Sequence, residues 1–186
     1  MKKFVVASLL AMTVAAPAFA ADVSYRVEAH GGWDRVSVAS GNDEGFAYGL
    51  GAGVDYAVNP KLFVGLEANV DDSTQKDCMT DVITFGDRLC AGSGRDLSLV
   101  GRIGTVLSDG YKLYALAGYT NARLKLSYDD GVTSASTGTN LDGFRLGAGV
   151  QLPFVGQSYS KVEYRYSNYE SDFSRHQVLV GVGLNF

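Results

Sequence analysis

Apolar and polar residues alternate with a period of two through most of the chain after residue 20. This alternation is typical of β-strands with two unlike faces, whereas the period of an amphipathic helix is almost absent. The sequence therefore predicts an all-β protein. The pattern predicts eight strands, at 25–34, 46–58, 62–70, 97–107, 114–126, 144–152, 161–166 and 176–186.

The connections between these strands alternate in length. Tight turns are predicted at 59–61, 108–110 and 153–158, all at one end of an up-and-down sheet. The connections at the other end are longer: 37–45, 71–95, 129–140 and 168–174. An even number of strands with short turns on one side and long loops on the other is typical of outer-membrane barrels. The predicted fold is an eight-stranded antiparallel up-and-down transmembrane β-barrel.

Alternation alone does not say which face points outward, and a secreted soluble β-barrel or sandwich is the alternative. The polar face is rich in glycine and alanine, which suit the crowded interior of a small barrel, and it carries Glu67 and Arg102 in mid-strand. Aromatic residues collect near the strand ends, as in the two interfacial girdles of a membrane barrel. They are Tyr56, Tyr114, Tyr159 and Phe186 on the turn side, and Trp33, Phe46, Phe144, Tyr166 and Tyr169 on the loop side. We therefore expect the apolar face to contact lipid.

The polar face places many charges inside the barrel. The residues predicted to point inward are Arg26, Glu28, Asp55, Glu67, Arg102, Arg123, Lys125, Arg145, Lys161, Glu163, Arg165 and Gln177. Six are expected near mid-height: Glu28, Glu67, Arg102, Arg145, Glu163 and Arg165. Buried charges persist only when they are paired, so we predict an ionic network that fills the lumen, with a Glu67–Arg102 pair. The network is either a stabilising plug or a gate whose pairs exchange partners and admit small ions.

The N-terminal residues 1–20 have the features of a secretory signal peptide: two lysines, an apolar run and an A-x-A motif that ends at Ala20. A transmembrane helix is the alternative, but Thr13 and Pro17 interrupt a run that is already short for a span. We predict cleavage after Ala20, which leaves residues 21–186 as one outer-membrane barrel domain.

Composition narrows the class of protein further. The chain is 46% apolar, too apolar for a disordered protein, and no basic block suggests a nucleic-acid partner. The predicted loops hold 11 acids and 3 bases. This charge suits either cation-bridged contact with lipopolysaccharide, binding of a basic partner, or simply a hydrated surface.

The only two cysteines, Cys78 and Cys90, lie in the longest predicted loop. Export to an oxidising compartment favours a disulfide between them over two free thiols. The two histidines, His30 and His176, fall in other strands, so no zinc site is predicted with the cysteines. The sequence predicts no metal and no cofactor.

An enzyme is the weakest of the functional hypotheses. Some small outer-membrane barrels modify lipid A, and His176 with Ser174 offers a pair of reactive side chains on the lipid-facing side. No third residue is evident to orient the histidine, and the sequence has no serine-centred nucleophile elbow. We therefore predict a protein without catalytic activity.

Several segments together resemble the small opacity-protein-like outer-membrane β-barrels, the "porin family" proteins common in alphaproteobacteria. The segments are GFAYGLGAGVDY (45–56), KLYALAGY (112–119), FRLGAGV (144–150), KVEYRY (161–166) and VGVGLNF (180–186). The resemblance covers the whole mature chain and implies an outer-membrane location, with lipid and lipopolysaccharide as neighbours.

The same resemblance gives expectations about biogenesis and role. A closing strand that ends on Phe186 is similar to the signal that the barrel-assembly machinery reads. The family includes adhesins and membrane stabilisers, which implies a structural or surface-interaction role in envelope integrity and loop-mediated contact. We expect a monomer or a weakly associating protein. The alternative is a narrow, gated passage for small ions.

Overall fold

The computed structural model describes residues 23–38, 41–81, 87–129, 131, 134–170 and 173–186. The strands are β1 (Val23–Val38), β2 (Gly41–Asn59), β3 (Leu62–Ser73), β4 (Lys76–Thr80), β5 (Arg88–Val106), β6 (Lys112–Asp129), β7 (Ser134–Pro153), β8 (Ser158–Tyr169) and β9 (Phe173–Asn185). The predicted signal peptide and its cleavage after Ala20 lie outside the described residues.

Eight of these strands close into a ring of antiparallel neighbours. Strands β1 to β3 pair in chain order, β3 pairs with β5, and β5 to β9 again pair in order. Strand β9 returns to β1, where Tyr25 and Phe186 exchange backbone hydrogen bonds of 2.8 and 2.9 Å. The predicted eight-stranded up-and-down barrel is confirmed, and it closes through backbone hydrogen bonds between β9 and β1.

The strands extend beyond the predicted loop boundaries. The long connection predicted at 71–95 is strand for most of its length, because β3 continues to Ser73, β4 follows, and β5 begins at Arg88. Strands β6 and β7 likewise stay paired up to Asp129 and Ser134. Beyond the lipid both faces of a strand meet water, so the hydrophobic pattern stops while the backbone ladder continues. We call the paired segments 76–80, 88–94, 123–129 and 134–140 the loop-side extension.

Large apolar side chains cover the outside of the barrel. The most exposed in mid-strand are Leu50, Leu66, Val70, Leu99, Ile103, Val180 and Val182, each with more than half of its surface accessible. No described residue belongs to a helix that is long and apolar enough to cross a membrane. The predicted orientation, with the apolar face toward lipid, is confirmed.

Exposed aromatic residues ring both ends of this apolar band, but the predicted membership needs correction. The turn side carries Tyr56, Tyr111, Phe154 and Phe186, and the loop side carries Trp33, Phe46, Tyr48, Tyr119, Phe144 and Tyr164. Tyr114, Tyr159 and Tyr169, predicted for these girdles, instead lie inside, each no more than 3% exposed. Their phenol hydroxyls find acceptors in the lumen, as described below.

Strand β6 has the opposite orientation to the predicted one. Leu116 and Thr120 are buried, whereas Tyr119 is exposed on the outside together with Arg123 and Lys125. The prediction that Arg123 and Lys125 point into the lumen is therefore wrong. Over residues 113–120 both faces of β6 carry apolar or small residues, so the alternation predicts a strand there without showing which face points inward.

Apolar residues inside the barrel form two clusters. One lies toward the turn side and contains Phe63, Val100, Tyr114 and Leu116. The other lies at the loop side and contains Val36, Ala122, Tyr169 and Phe173, with Leu124 and Leu141 packed against it. The remaining lumen is occupied largely by charged side chains.

Candidate functional site

The six predicted mid-height residues all lie in the lumen, and they belong to a larger ionic network. The fully buried bases are Arg26, Arg102, Arg145, Lys161, Arg165 and Arg175. Each forms at least one ion pair with a carboxylate drawn from Glu28, Asp34, Asp55, Glu67, Asp71, Asp96 and Glu163. Pairing of this kind is what allows charges to remain in a low-dielectric interior.

Glu67 is the centre of the turn-side half of this network. Its Oε2 accepts hydrogen bonds from Arg26 Nη2 at 2.7 Å and Arg102 Nη1 at 3.0 Å. Its Oε1 lies 3.5 Å from Arg165 Nη2. Gly53 is directly opposite on β2, where a Cβ would lie 2.5 Å from the Arg26 guanidinium carbon. One carboxylate thus serves three guanidinium groups, and a glycine leaves room for one of them.

The ion pairs form an unbroken chain along the lumen, in which acids and bases alternate. From the turn side to the loop side the chain runs through Lys112, Asp55, Arg26, Glu67, Arg165, Asp71, Arg145, Asp96, Arg175 and Asp34. At the loop side Arg175 donates to both oxygens of Asp34, each at 2.7 Å. Every strand of the ring contributes at least one residue to this chain.

The three tyrosines that turn inward have a common role, because each donates its phenol hydrogen to a buried carboxylate. These bonds join Tyr114 to Glu163 at 2.5 Å, Tyr159 to Glu28 at 2.7 Å and Tyr169 to Asp96 at 2.7 Å. The Tyr114 ring also lies against Arg102, whose guanidinium carbon is 3.9 Å from the ring centroid. Burying both the ring and the hydroxyl of tyrosine therefore stabilises the lumen in two ways.

His30 joins two branches of the network. Its Nε2 is 2.6 Å from Asp71 Oδ1, and its Nδ1 is 3.4 Å from Glu28 Oε1. Glu28 also forms an ion pair with Lys161, whose ammonium lies 3.3 Å from Glu163. The imidazole therefore lies between the Lys161 branch and the central chain, and its hydrogen bond is made to Asp71.

Six members of the network are absent from the residues that the sequence analysis predicted to point inward: His30, Asp34, Asp71, Asp96, Lys112 and Arg175. Asp71 and Asp96 fall at the edges of a predicted loop that is strand in the structure. A usable signal was present, because Asp71 continues the alternation of Glu67 and Asn69, and Arg175 that of Gln177. Continuing the period of two past the last apolar residue of β3 and past the start of the predicted last strand would have identified Asp71 and Arg175 as inward-facing.

The outer face carries no reactive pair at His176. Its Nδ1 is 2.7 Å from the Tyr164 hydroxyl, and its ring lies 4.9 Å from that of Tyr166. No contact between His176 and Ser174 side chains is found in the described part of the chain. The histidine is part of the aromatic girdle, and no group of three or more candidate metal ligands occurs among the described residues.

The loop-side extension contains the disulfide between Cys78 and Cys90, with an S–S distance of 2.04 Å. The two cysteines are directly opposite each other on β4 and β5. The predicted disulfide is confirmed, and it links the two strands of the longest hairpin.

An exposed carboxylate lies just beyond the loop-side girdle. Asp142 accepts hydrogen bonds from the Tyr119 hydroxyl and, at 2.6 Å, from the Asn121 amide. These two donors, the tyrosine first, hold the pKa of Asp142 below its ordinary value. The carboxylate is therefore ionised and already engaged.

Comparison with known proteins identifies the family to which this barrel belongs. The sequence matches the outer membrane protein beta-barrel domain over residues 6–186. No curated protein matches it significantly.

Solved structures of small outer-membrane barrels share the fold. The attachment invasion locus protein Ail of Yersinia pestis superposes with a TM-score of 0.64 at 17% identity, covering 89% of this chain and 99% of Ail. Neisserial surface protein A gives 0.59 at 15%, covering 87% and 97%. A major outer membrane protein from Thermus thermophilus gives 0.53 at 14%, covering 88% and 99%. The chain belongs to the outer membrane protein β-barrel domain family and is an integral protein of the outer membrane.

Proposed function

We propose that this protein is a non-channel surface barrel, in which the lumen is a structural plug and the loop side makes contacts that support envelope integrity. The continuous chain of ion pairs from Lys112 to Asp34 carries this proposal. Water-filled pores belong to barrels of roughly 16 or more strands, and an eight-stranded barrel is just wide enough for its own side chains. An ion crossing this lumen would have to separate several buried pairs in succession.

The loop side supports the contact part of the proposal. Strands β4 to β7 continue beyond the apolar band as a paired sheet, and the Cys78–Cys90 disulfide braces its outermost hairpin. A pre-ordered surface loses little entropy when it binds. Two structural neighbours are named as an attachment invasion locus protein and a surface protein, and Ail has been crystallised with the heparin analogue sucrose octasulfate. These names are consistent with a contact role for this face.

Planar-bilayer conductance of the purified, folded protein tests the plug. We expect no steady openings from the wild type, because each of the six fully buried bases is paired. Glu67→Ala, which leaves three guanidinium groups without their shared acceptor, is expected to admit transient openings at most. The matched control is Leu66→Ala, the adjacent residue on the lipid side.

Steady wild-type openings that change in Glu67→Ala or Arg102→Ala and persist in Leu66→Ala would contradict the plug and establish the ion passage instead. A heat-modifiable band on a gel verifies in each case that the barrel is folded.

We assign no catalytic step to this barrel, because His176 is paired with Tyr164 within the aromatic girdle. Lipid A from cells with and without the protein is expected to have the same mass spectrum. A change in acylation that disappears in His176→Ala would overturn this assignment.

A further inference from the structure

The lipid-facing wall of the barrel carries a groove of about 640 Å³ on the turn side, across strands β2, β1, β9 and β8. Exposed apolar side chains form its walls: Val27, Leu50, Val182, Leu184 and, at the turn, Phe154. Because β9 pairs with β1 beneath it, the groove crosses the closure of the barrel. Neither the lumen plug nor the loop side accounts for this feature.

Small side chains on alternate strands create the groove. Ala29 of β1 is directly opposite Leu50 on one side and Val182 on the other. Val182 is in turn directly opposite Ser160 of β8. The row therefore reads large, small, large, small across the outer face, and Ala29 and Ser160 leave depressions between taller neighbours.

The groove offers no charge to a ligand. Its one acid, Glu28, points into the lumen, where it is paired with Lys161 and accepts a hydrogen bond from Tyr159. Tyr159 is itself buried, and Gly183 faces its ring on the inner side of the wall. These residues border the groove from the inner row of the barrel. A ligand on the outer face is therefore held mainly by apolar contacts.

One polar side chain in the groove is left without a partner, the Ser160 hydroxyl. The Ser158 hydroxyl, two residues earlier, is used within the turn, where it donates to the Val155 backbone oxygen at 2.6 Å. The Ser160 hydroxyl forms no hydrogen bond within the described ranges. A hydroxyl in apolar surroundings is unfavourable unless it is hydrogen-bonded, so a ligand with an acceptor at this point is favoured.

The groove runs obliquely from the membrane interface toward the middle of the bilayer. Ser160 is opposite Leu152, two residues before Phe154 of the turn-side girdle. At about 3.3 Å per residue and a tilt of about 40°, Ser160 lies roughly 5 Å inward from the girdle. Leu50 is six residues from the girdle residue Tyr56, which places it roughly 15 Å inward. One end is thus at the depth of lipid ester carbonyls and the other among acyl chains.

These features match a glycerophospholipid. The short turns of outer-membrane barrels face the periplasm, where the leaflet consists of such lipids. We propose that the groove binds one glycerophospholipid of the periplasmic leaflet, with an ester carbonyl accepting a hydrogen bond from Ser160 and an acyl chain lying past Val182 over Ala29. The bound lipid covers the closure between β9 and β1. Conductance tests the lumen and lipid binding tests the groove, so either can fail without the other.

A second concavity on the opposite side of the barrel provides an internal comparison. It has about 530 Å³ and lies across β5, β6 and β7, where Ile103, Ala115, Ala117 and Leu146 line it. No serine or threonine is among the described residues around it. Lipid chains there meet apolar contacts alone, so no preference for an ester is expected at that site.

The test is a titration of the mature protein, folded in dodecyl maltoside micelles, with dipalmitoyl phosphatidylethanolamine and with its dihexadecyl ether analogue. The analogue has the same headgroup and chain length but no ester carbonyl. Native mass spectrometry counts the bound lipids. We expect one diester lipid to bind at least about threefold more tightly than the ether, a factor typical of one hydrogen bond. Ser160→Ala should bind both lipids equally.

Two further variants separate the shape of the groove from its hydroxyl. Ala29→Leu fills the depression in β1, so it should weaken binding of both lipids about tenfold through lost apolar contact. Ala115→Leu makes the same change in the second concavity, and it should keep the wild-type affinity and ester preference. All three positions face outward, and a heat-modifiable band verifies that each variant is folded.

Three outcomes would overturn the proposal. The first is equal binding of the diester and the ether by the wild type. The second is an ester preference that Ser160→Ala retains. The third is a dimer that forms when lipid is removed and that Ala29→Leu abolishes, which would assign the groove to a second copy of the chain.

Discussion

The two faces of the barrel wall are built on different principles, and the neighbours Leu66 and Glu67 on β3 show the contrast. Leu66 is 56% exposed to lipid, whereas Glu67 is 1% exposed and contacts three guanidinium groups. Lipid chains accept any apolar side chain at Leu66. Glu67 contacts guanidinium groups from three other strands, and each of these forms further hydrogen bonds or ion pairs in the lumen.

The inner face of the barrel is more specific in sequence than the outer face. The outer face needs only to be apolar at the right height, so many sequences would serve. The inner face is a connected set of charges, in which removal of one member leaves the others buried and unpaired. We therefore expect inner-face substitutions to affect stability far more than conservative outer-face substitutions.

The largest expected effect is that of Glu67→Ala. It leaves Arg26, Arg102 and Arg165 without a shared acceptor, and removing one partner of a buried pair costs about 3–5 kcal/mol. Denaturant unfolding from lipid vesicles, followed through the fluorescence of the single tryptophan, Trp33, measures the free energy of unfolding. Glu67→Gln, which keeps an acceptor at that position, should lose less. A wild-type unfolding curve for Glu67→Ala would contradict the expectation that inner-face residues dominate stability.

The second prediction places a charge on the outer face at nearly the same height. Leu66→Arg should lower the free energy of unfolding by about 2–4 kcal/mol, because the guanidinium meets hydrocarbon without a partner. Leu66→Ala should cost only about 1–2 kcal/mol, since lipid chains fill the space and no cavity remains. The same vesicle assay compares all three proteins. If Leu66→Ala were as damaging as Glu67→Ala, the outer face would be as specific as the inner one.

The same contrast explains what the sequence could predict. Where one face is apolar and the other charged or glycine-rich, as around Leu66 and Glu67, the alternation predicts both the strand and its direction. The barrel, its eight strands and the six mid-height charges all follow from such segments. The Cys78–Cys90 disulfide follows from the compartment and from the absence of other cysteines.

Prediction fails where the two faces are alike. Strand β6 has small or apolar residues on both sides, so the direction of Tyr114 depends on whether its hydroxyl finds an acceptor, which only the assembled lumen provides. In the loop-side extension both faces of β4, of the start of β5 and of the start of β7 are polar or small, so these segments have no hydrophobic pattern to detect. Arg123 and Lys125 combine both difficulties, which is why their outward direction is seen only in the structure.

The smallest of these effects tests that explanation directly. Tyr114→Phe keeps the ring against Arg102 and removes only the hydroxyl that donates to Glu163. A buried carboxylate that loses one donor costs about 1–3 kcal/mol, so the free energy of unfolding should fall by that amount. The control is Tyr56→Phe in the outer girdle, where the exposed ring lies at the membrane interface and the change should stay within about 0.5 kcal/mol.

Equal effects of the two substitutions would mean that the Tyr114 hydroxyl does not hold β6 in its orientation. The packing of Leu116 against Phe63 and Val100 in the turn-side cluster would then have to fix the direction of the strand. A larger loss of unfolding free energy in Tyr114→Phe than in Tyr56→Phe would instead support a role for the Tyr114 hydroxyl in holding β6 in its orientation. The hydrophobic pattern of this strand alone does not specify that orientation. The inner face would then determine the orientation of this strand as well as contribute more to stability than the outer face.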